Sequence, residues 1–136
     1  LGLPGETHDT MVAQAGMLSE LPLSTLKIHQ LQLIRGTRMA HEYEENPADF
    51  HLFKEVDEYI DLVIDYVEHL HPDLVLERFV SQSPKELLIA PDWGLKNYEF
   101  VTRLQKRMKE RGAYQGKKYR DSEKRVIFAE DNFTTE

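Results

Sequence analysis

The side chains able to do chemistry here are six histidines, 24 acidic residues and scattered serines and glutamines; cysteine is missing altogether. Its absence removes a disulfide framework, a thiolate zinc site, a cysteine nucleophile and any iron–sulfur cluster held by the chain itself. His69 and His71 stand beside Pro72, a spacing unlike the i, i+4 pair with which a helix presents two ligands to one metal. No metal site is expected. Ser81-Gln82-Ser83 lacks the glycines of a nucleophile elbow, and Glu42, Glu44 and Glu45 read as a solvated helix face. Asp92-Trp93 could line a pocket, although an aromatic anchor for the last helix is the simpler role.

Two segments remain. Gly2-Leu3-Pro4-Gly5-Glu6-Thr7 lacks a phosphate-cradling glycine pattern. As a turn it would let backbone approach a flat ligand closely, with Glu6 at the mouth; taken alone it is a plain turn. Ser24 to Ile34 reads as a strand with mixed faces. Leu26 and Ile28 share one side with Gln30 and Gln32, and Lys27 and His29 share the other with Leu31 and Leu33. Neither face is cleanly wet or dry, so a parallel strand covered on both sides, with polar groups aimed into a cavity, is expected. His29 is expected to be buried and satisfied by one backbone partner.

The elements that must hold these segments follow from periodicity. Thr7 can cap a helix carrying Met11, Ala15 and Leu18, which Leu21-Pro22 ends. After Arg35-Gly36-Thr37 a short helix spans Met39 to Glu45. From His51 to Leu70, Leu52, Val56, Tyr59, Ile60, Val63, Val67 and Leu70 recur at helical spacing, with Glu58, Asp61, Asp65 and Glu68 opposite. Leu74 to Val80 reads as a strand, and Leu87 to Ala90 as a short strand or buried connector. A turn at 91–94 leads to a helix from Leu95 to Arg111 that points Tyr98, Val101, Leu104 and Met108 inward and stops at Gly112. Gln115 to Lys124 is charged and expected to be mobile; Val126-Ile127-Phe128 is the tail's one apolar patch. This order is α/β and favours parallel strands. With so few strands it leaves a sheet edge exposed.

A length of 136 residues fits one domain or part of one. The formal net charge of −7 gives no overall attraction to nucleic acid or anionic membrane. Acid gathers at 42–68 and base at Lys106, Arg107, Lys109, Arg111, Lys117, Lys118 and Arg120, a cluster read as a solvated helix surface. No apolar run approaches the roughly 20 residues a membrane helix needs, and no signal peptide is evident. A chain without bridges suits a reducing compartment, so a cytoplasmic location is expected. The opening at Leu1, directly in a turn, reads as an excised or processed piece.

Taken in order, Gly2–Thr7, a helix and Leu26-Lys27-Ile28-His29-Gln30-Leu31-Gln32-Leu33-Ile34-Arg35-Gly36-Thr37 resemble the end of a radical S-adenosylmethionine barrel. They are similar to the turn after its fifth strand and to its sixth strand. The runs FHLF…EYIDLVIDYVEHLHPDLVLERF and PKELLIAPDWGLKN are similar to the bacterial branch that resembles the Elongator catalytic subunit, an iron–sulfur oxidoreductase group. The likeness spans Gly2 to about Tyr119. It implies an α/β fold: the C-terminal part of a partial (β/α) barrel over 1–50, an extra helix–strand–helix unit over 51–119, and a polar flexible tail over 120–136.

The resemblance also implies a parent enzyme that uses S-adenosylmethionine and a 4Fe-4S cluster, whose cysteine ligands lie outside this chain. Gly2, Gly5 and Glu6 match the turn beside the adenosine of the cofactor; Gln30, Leu31 and Gln32 match the segment that flanks the adenine. The first choices are Gly5, Gln30 and Gln32. The N-terminal remainder of the same polypeptide is the implied partner, an RNA base the implied substrate, and the isolated piece is expected to be inactive and to self-associate through its open edge. The competing expectation is a non-catalytic α/β interaction module. The two differ in one observable: in the enzyme, Gln30 and Gln32 line a concavity, whereas glutamines lying under a helix with their amides paired would speak against the cofactor assignment.

Overall fold

A computed structural model describes residues 1–120; the tail beyond Arg120, with Val126–Phe128, lies outside the described residues. Helix α1 (His8–Ser19) starts where Thr7 and Thr10 cap reciprocally, each side-chain oxygen accepting the other's backbone N–H. Met11 and Ala15 are buried. At its far end the Ser19 hydroxyl accepts from the His71 amide at 2.8 Å, tying α1 to the loop after the third helix.

The segment expected as one strand from Ser24 to Ile34 is two. Strand β1 (Thr25–Lys27) pairs in parallel with β3 (Val75–Arg78), and β2 (Leu33–Ile34) pairs antiparallel with β4 (Leu88–Ala90). The break has a visible cause. Between Ile28 and Leu33 the ladder gives way to the side chains of Gln30 and Gln32, which bond to the loop after β3. Only β1–β3 therefore keeps the parallel arrangement that the element order favours. Nor is β1 covered on both sides: Thr25 and Lys27 are exposed, and Ile28 is the buried residue next in line.

Helix α2 (Arg38–Glu45), capped by Thr37, leads through a 3-10 turn (Pro47–Asp49) to an extended stretch at 50–55. Helix α3 (Val56–Glu68) thus starts later than His51. Phe53 is buried in the stretch before it, packed on Tyr59. Within α3, Tyr59, Ile60, Val63 and Val67 are buried as the periodicity predicts, and so are Leu62, Ile64, Tyr66 and Glu68. The acidic side is only partly solvated: Glu58 is exposed, and Glu68 is buried. Helix α4 (Asn97–Arg111) lays Arg107 on Asp61 at 3.1 Å and Arg111 on Asp65 at 2.6 Å, and Arg111 and Lys118 approach the buried Glu68 carboxylate. Three of the basic residues read as a solvated surface, Arg107, Arg111 and Lys118, are therefore ion-paired within the fold.

On α4 Phe100 and Leu104 are buried and Val101 and Met108 half-buried; Tyr98 is exposed, so Phe100 takes its place at the start of the expected stripe. Gly112 ends the helix in the left-handed region at φ 62°. The next residues are not a loose tail. Gly116 and Lys118 donate backbone N–H groups to the carbonyls of Val67 and Glu68 in the last turn of α3, and Gln115 reaches the carbonyls of His71 and Leu74. The molecule is a mixed α/β structure, as predicted, and these residues close no barrel. Each large side chain in the α1–α3–α4 core contributes roughly 1.5–3 kcal/mol by leaving water.

Candidate functional site

The glycine turn and the glutamine segment lie side by side. The Leu1 nitrogen donates to the His29 carbonyl at 2.7 Å and the Leu31 N–H donates to the Leu1 carbonyl at 2.8 Å. That pair of bonds is the signature of parallel strands, so the start of the chain runs alongside the continuation of β1 with Leu1 opposite Gln30. Six residues were predicted to meet a cofactor here, and their environments differ.

Gly2 is buried, with φ 95°; a Cβ would stand 3.1 Å from the Phe53 ring, so its role is close packing and it offers no exposed surface. Gly5 is exposed at φ 81°, and nothing lies within 4 Å of the position a Cβ would take. A flat group can approach this backbone freely. The Glu6 carboxylate turns inward, accepting the N–H groups of Gly2 and Leu3 and the amide of Gln14, which fixes the turn. An open concavity beside it is lined by residues 4–7 and 48–51.

Gln30 is 6% exposed and its amide is fully used: Nε2 donates to the Ser81 carbonyl at 3.1 Å while Oε1 accepts the Ser81 N–H at 2.9 Å. A side chain here replaces the strand partner that the backbone would otherwise need. Gln32 also donates to the Ser81 carbonyl and accepts from the Ser83 hydroxyl at 2.6 Å. Leu31 is half-buried beside them. His29 is exposed, against expectation, because its side of β1 carries no covering element; what burial the ring has lowers its pKa, and the nearby Arg78 guanidinium pushes the same way.

Both glutamines line one cleft of about 300 Å³, walled by the 80–83 loop on one side and by residues 91–96 on the other. An aromatic stack supports the second wall: Trp93 lies on Tyr59 with ring centres 5.1 Å apart and on Phe100 at 6.4 Å, and its indole N–H donates to the Phe53 carbonyl at 2.8 Å. Trp93 therefore lines the pocket and anchors α4 at once. Burial also raises the Tyr59 hydroxyl pKa, so the phenol stays a neutral donor to the Phe79 carbonyl at 2.8 Å. Sequence reasoning missed Ser81, Ser83, Lys85 and Lys96 as part of this site. The only available signal was the pair of glutamines two apart in an apolar run, which demanded polar partners somewhere without naming them.

Among the described residues no three His, Asp or Glu side chains converge on a metal position, and no helix is long and apolar enough to cross a membrane. Gly5 offers exposed backbone that a flat group can approach, whereas the Gln30 and Gln32 amides are already committed to shaping a wall.

Residues 23–110 match the Radical_SAM C-terminal domain family. The chain is 35% identical over 116 residues to the uncharacterized protein YtqA of Bacillus subtilis, covering 85% of this chain and 35% of that protein. It is 31% identical over 122 residues to the uncharacterized protein MJ0486 of Methanocaldococcus jannaschii (88% and 36%), and 22% identical over 112 residues to protein YhcC of Escherichia coli (82% and 35%). The chain thus spans about a third of the length of these curated relatives. No solved structure matches it. With the family match covering more than half of its residues, the chain belongs to the Radical_SAM C-terminal domain family.

Proposed function

We propose that this chain forms one wall of the active site of a radical S-adenosylmethionine enzyme, close to the adenosine part of the cofactor. The observation that carries the reading is the parallel pairing of Leu1 with the His29–Leu31 segment. It sets an exposed glycine turn beside the end of a strand, where α/β folds hold their ligands. Gly5 supplies open backbone for a flat group, Gly2 and Glu6 fix the shape of the turn, and Gln30, Leu31 and Gln32 form the adjoining edge. When bound, S-adenosylmethionine and a 4Fe-4S cluster would supply the radical chemistry; this chain has no cysteine, and the cluster ligands belong to the rest of the longer protein.

The same reading assigns the free edge of β1, at Thr25 and Lys27, to a preceding strand from the N-terminal remainder of the polypeptide. Expressed alone, the chain then lacks activity and self-associates through that edge. An oxidoreductase of the Elongator-like branch, acting on an RNA base in the cytoplasm, is the finer assignment we favour, on resemblance. The test is anaerobic reconstitution of the full-length protein with iron and sulfide. Production of 5′-deoxyadenosine from S-adenosylmethionine is the expected result. A full-length protein without a three-cysteine cluster segment, or one that binds a cluster and yields no 5′-deoxyadenosine, would overturn the reading.

A further inference from the structure

The cleft beyond Gln30 and Gln32 has features that a purely structural joint does not require. Its 80–83 wall is held in place by four hydrogen bonds from two glutamines, so the loop is fixed before anything binds. Its volume of about 300 Å³ falls at the lower end of the range for small-molecule sites, roughly 300–1,000 Å³. Two lysines line it, Lys85 and Lys96, and neither has a side-chain partner among the described residues.

The lining holds one acid, Asp92, whose carboxylate accepts the Gly94 N–H at 3.1 Å across a tight turn. Elsewhere in the fold Arg107, Arg111, Lys118, Lys27 and Arg38 have found acids. In this concavity the two uncommitted lysines outnumber the single acid, which leaves its lining net positive. Opposing walls with spare positive charge select a negatively charged ligand and raise its local concentration. Leu88, Leu95 and Pro91 add apolar surface for the rest of such a molecule.

Building on the radical S-adenosylmethionine reading, we infer that this cleft receives the substrate, and that the substrate carries an oxyanion, phosphate or carboxylate, which Lys85 and Lys96 bind. Gln30 and Gln32 are positioning residues for this site. They hold the wall and do not touch the ligand. The two amides that resemblance alone would give to the cofactor thus set the shape of the neighbouring pocket.

The test is equilibrium binding of inorganic pyrophosphate and of succinate to the full-length protein, with no turnover required. At least one of the two probes should bind, and K85A and K96A should each weaken it by about tenfold, the loss of one charge-assisted contact. K106A, on the groove between α3 and α4, serves as a charge-matched control and should bind as the parent does. Q30E, placing a carboxylate where the Ser81 carbonyl expects a donor, should loosen the 80–83 wall and weaken binding while the amide exchange of α3 stays protected. Preference for pyrophosphate assigns the oxyanion to phosphate, and preference for succinate assigns it to carboxylate.

Binding of neither probe at millimolar concentration would overturn the inference, as would an equal loss in K106A. Absence of 5′-deoxyadenosine with lysine-dependent binding intact would end the cofactor reading and leave the anion site standing.

Discussion

The helical half of the molecule and the cleft half are held together by different physics. Around α3 the residues Tyr59, Val63, Ile64, Leu70 and Phe100 are fully buried, and the packing is finished by ion pairs from α4. Around the cleft the strands have only two to four residues, and long-range order comes from side chains bonded to backbone: Gln30 and Gln32 to Ser81, Trp93 to Phe53, Asn97 to Phe79. The first kind of contact is additive and tolerant, because apolar area can be rearranged. The second depends on individual donors and acceptors, and a single substitution strands a buried partner. Stability and shape are thus entrusted to separate regions, and mutations should separate them.

Phe100→Ala should have the largest effect. It empties a fully buried site that packs on Tyr59 and stacks on Trp93, and should cost about 3–5 kcal/mol in chemical denaturation. Gln30→Leu keeps the volume and removes the amide, leaving the Ser81 N–H and carbonyl short of partners. A smaller loss of about 1–3 kcal/mol is expected, with faster hydrogen exchange at the 80–83 amides and little change in α3. If exchange in α3 rose as much as in the loop, the two regions would be one cooperative unit and the distinction would fail.

The smallest effect concerns pH. Burial alone would raise the Asp65 carboxyl, but hydrogen bonds from Arg111 and His8 outweigh it and hold the group below its ordinary value of 3.8. A carboxyl with a depressed folded-state pKa binds fewer protons folded than unfolded. Its contribution is therefore complete above the ordinary value and is lost as pH falls through the folded one. Asp65→Asn should flatten the acid limb of the stability curve below the ordinary value of 3.8 and leave the order of the cleft untouched. An unchanged acid limb would remove the α1–α3–α4 network from the account.

The helical half was largely legible in the sequence. The Tyr59–Ile60–Val63–Val67 spacing, the Thr7 cap and the Gly112 stop follow from local rules and recur in the structure. Tyr98 was misplaced because helical spacing allows either Tyr98 or Phe100 at the start of the stripe, and only the partner surface, here Tyr59 and Trp93, selects Phe100. The burial of Glu68 was hidden for a similar reason, since its partners Arg111 and Lys118 lie more than forty residues away.

The site was legible in part. The pairing of Leu1 with the glutamine segment agrees with what the ordered motifs implied. That Gln30 is spent on Ser81, and that one apolar run divides into β1 and β2, could not be read off, because both depend on a loop fifty residues downstream.

The central claim is that open backbone at Gly5 faces adenosine, and one matched pair of variants tests it. Gly5 and Gly36 have nearly equal φ, 81° and 84°, and neither has an atom within 4 Å of a Cβ position, so valine strains both turns alike. Equilibrium binding of S-adenosylmethionine to the cluster-loaded full-length protein should fall by about tenfold, near 1.4 kcal/mol, in Gly5→Val and stay at the parent value in Gly36→Val. Equal affinities in the two variants would contradict the claim.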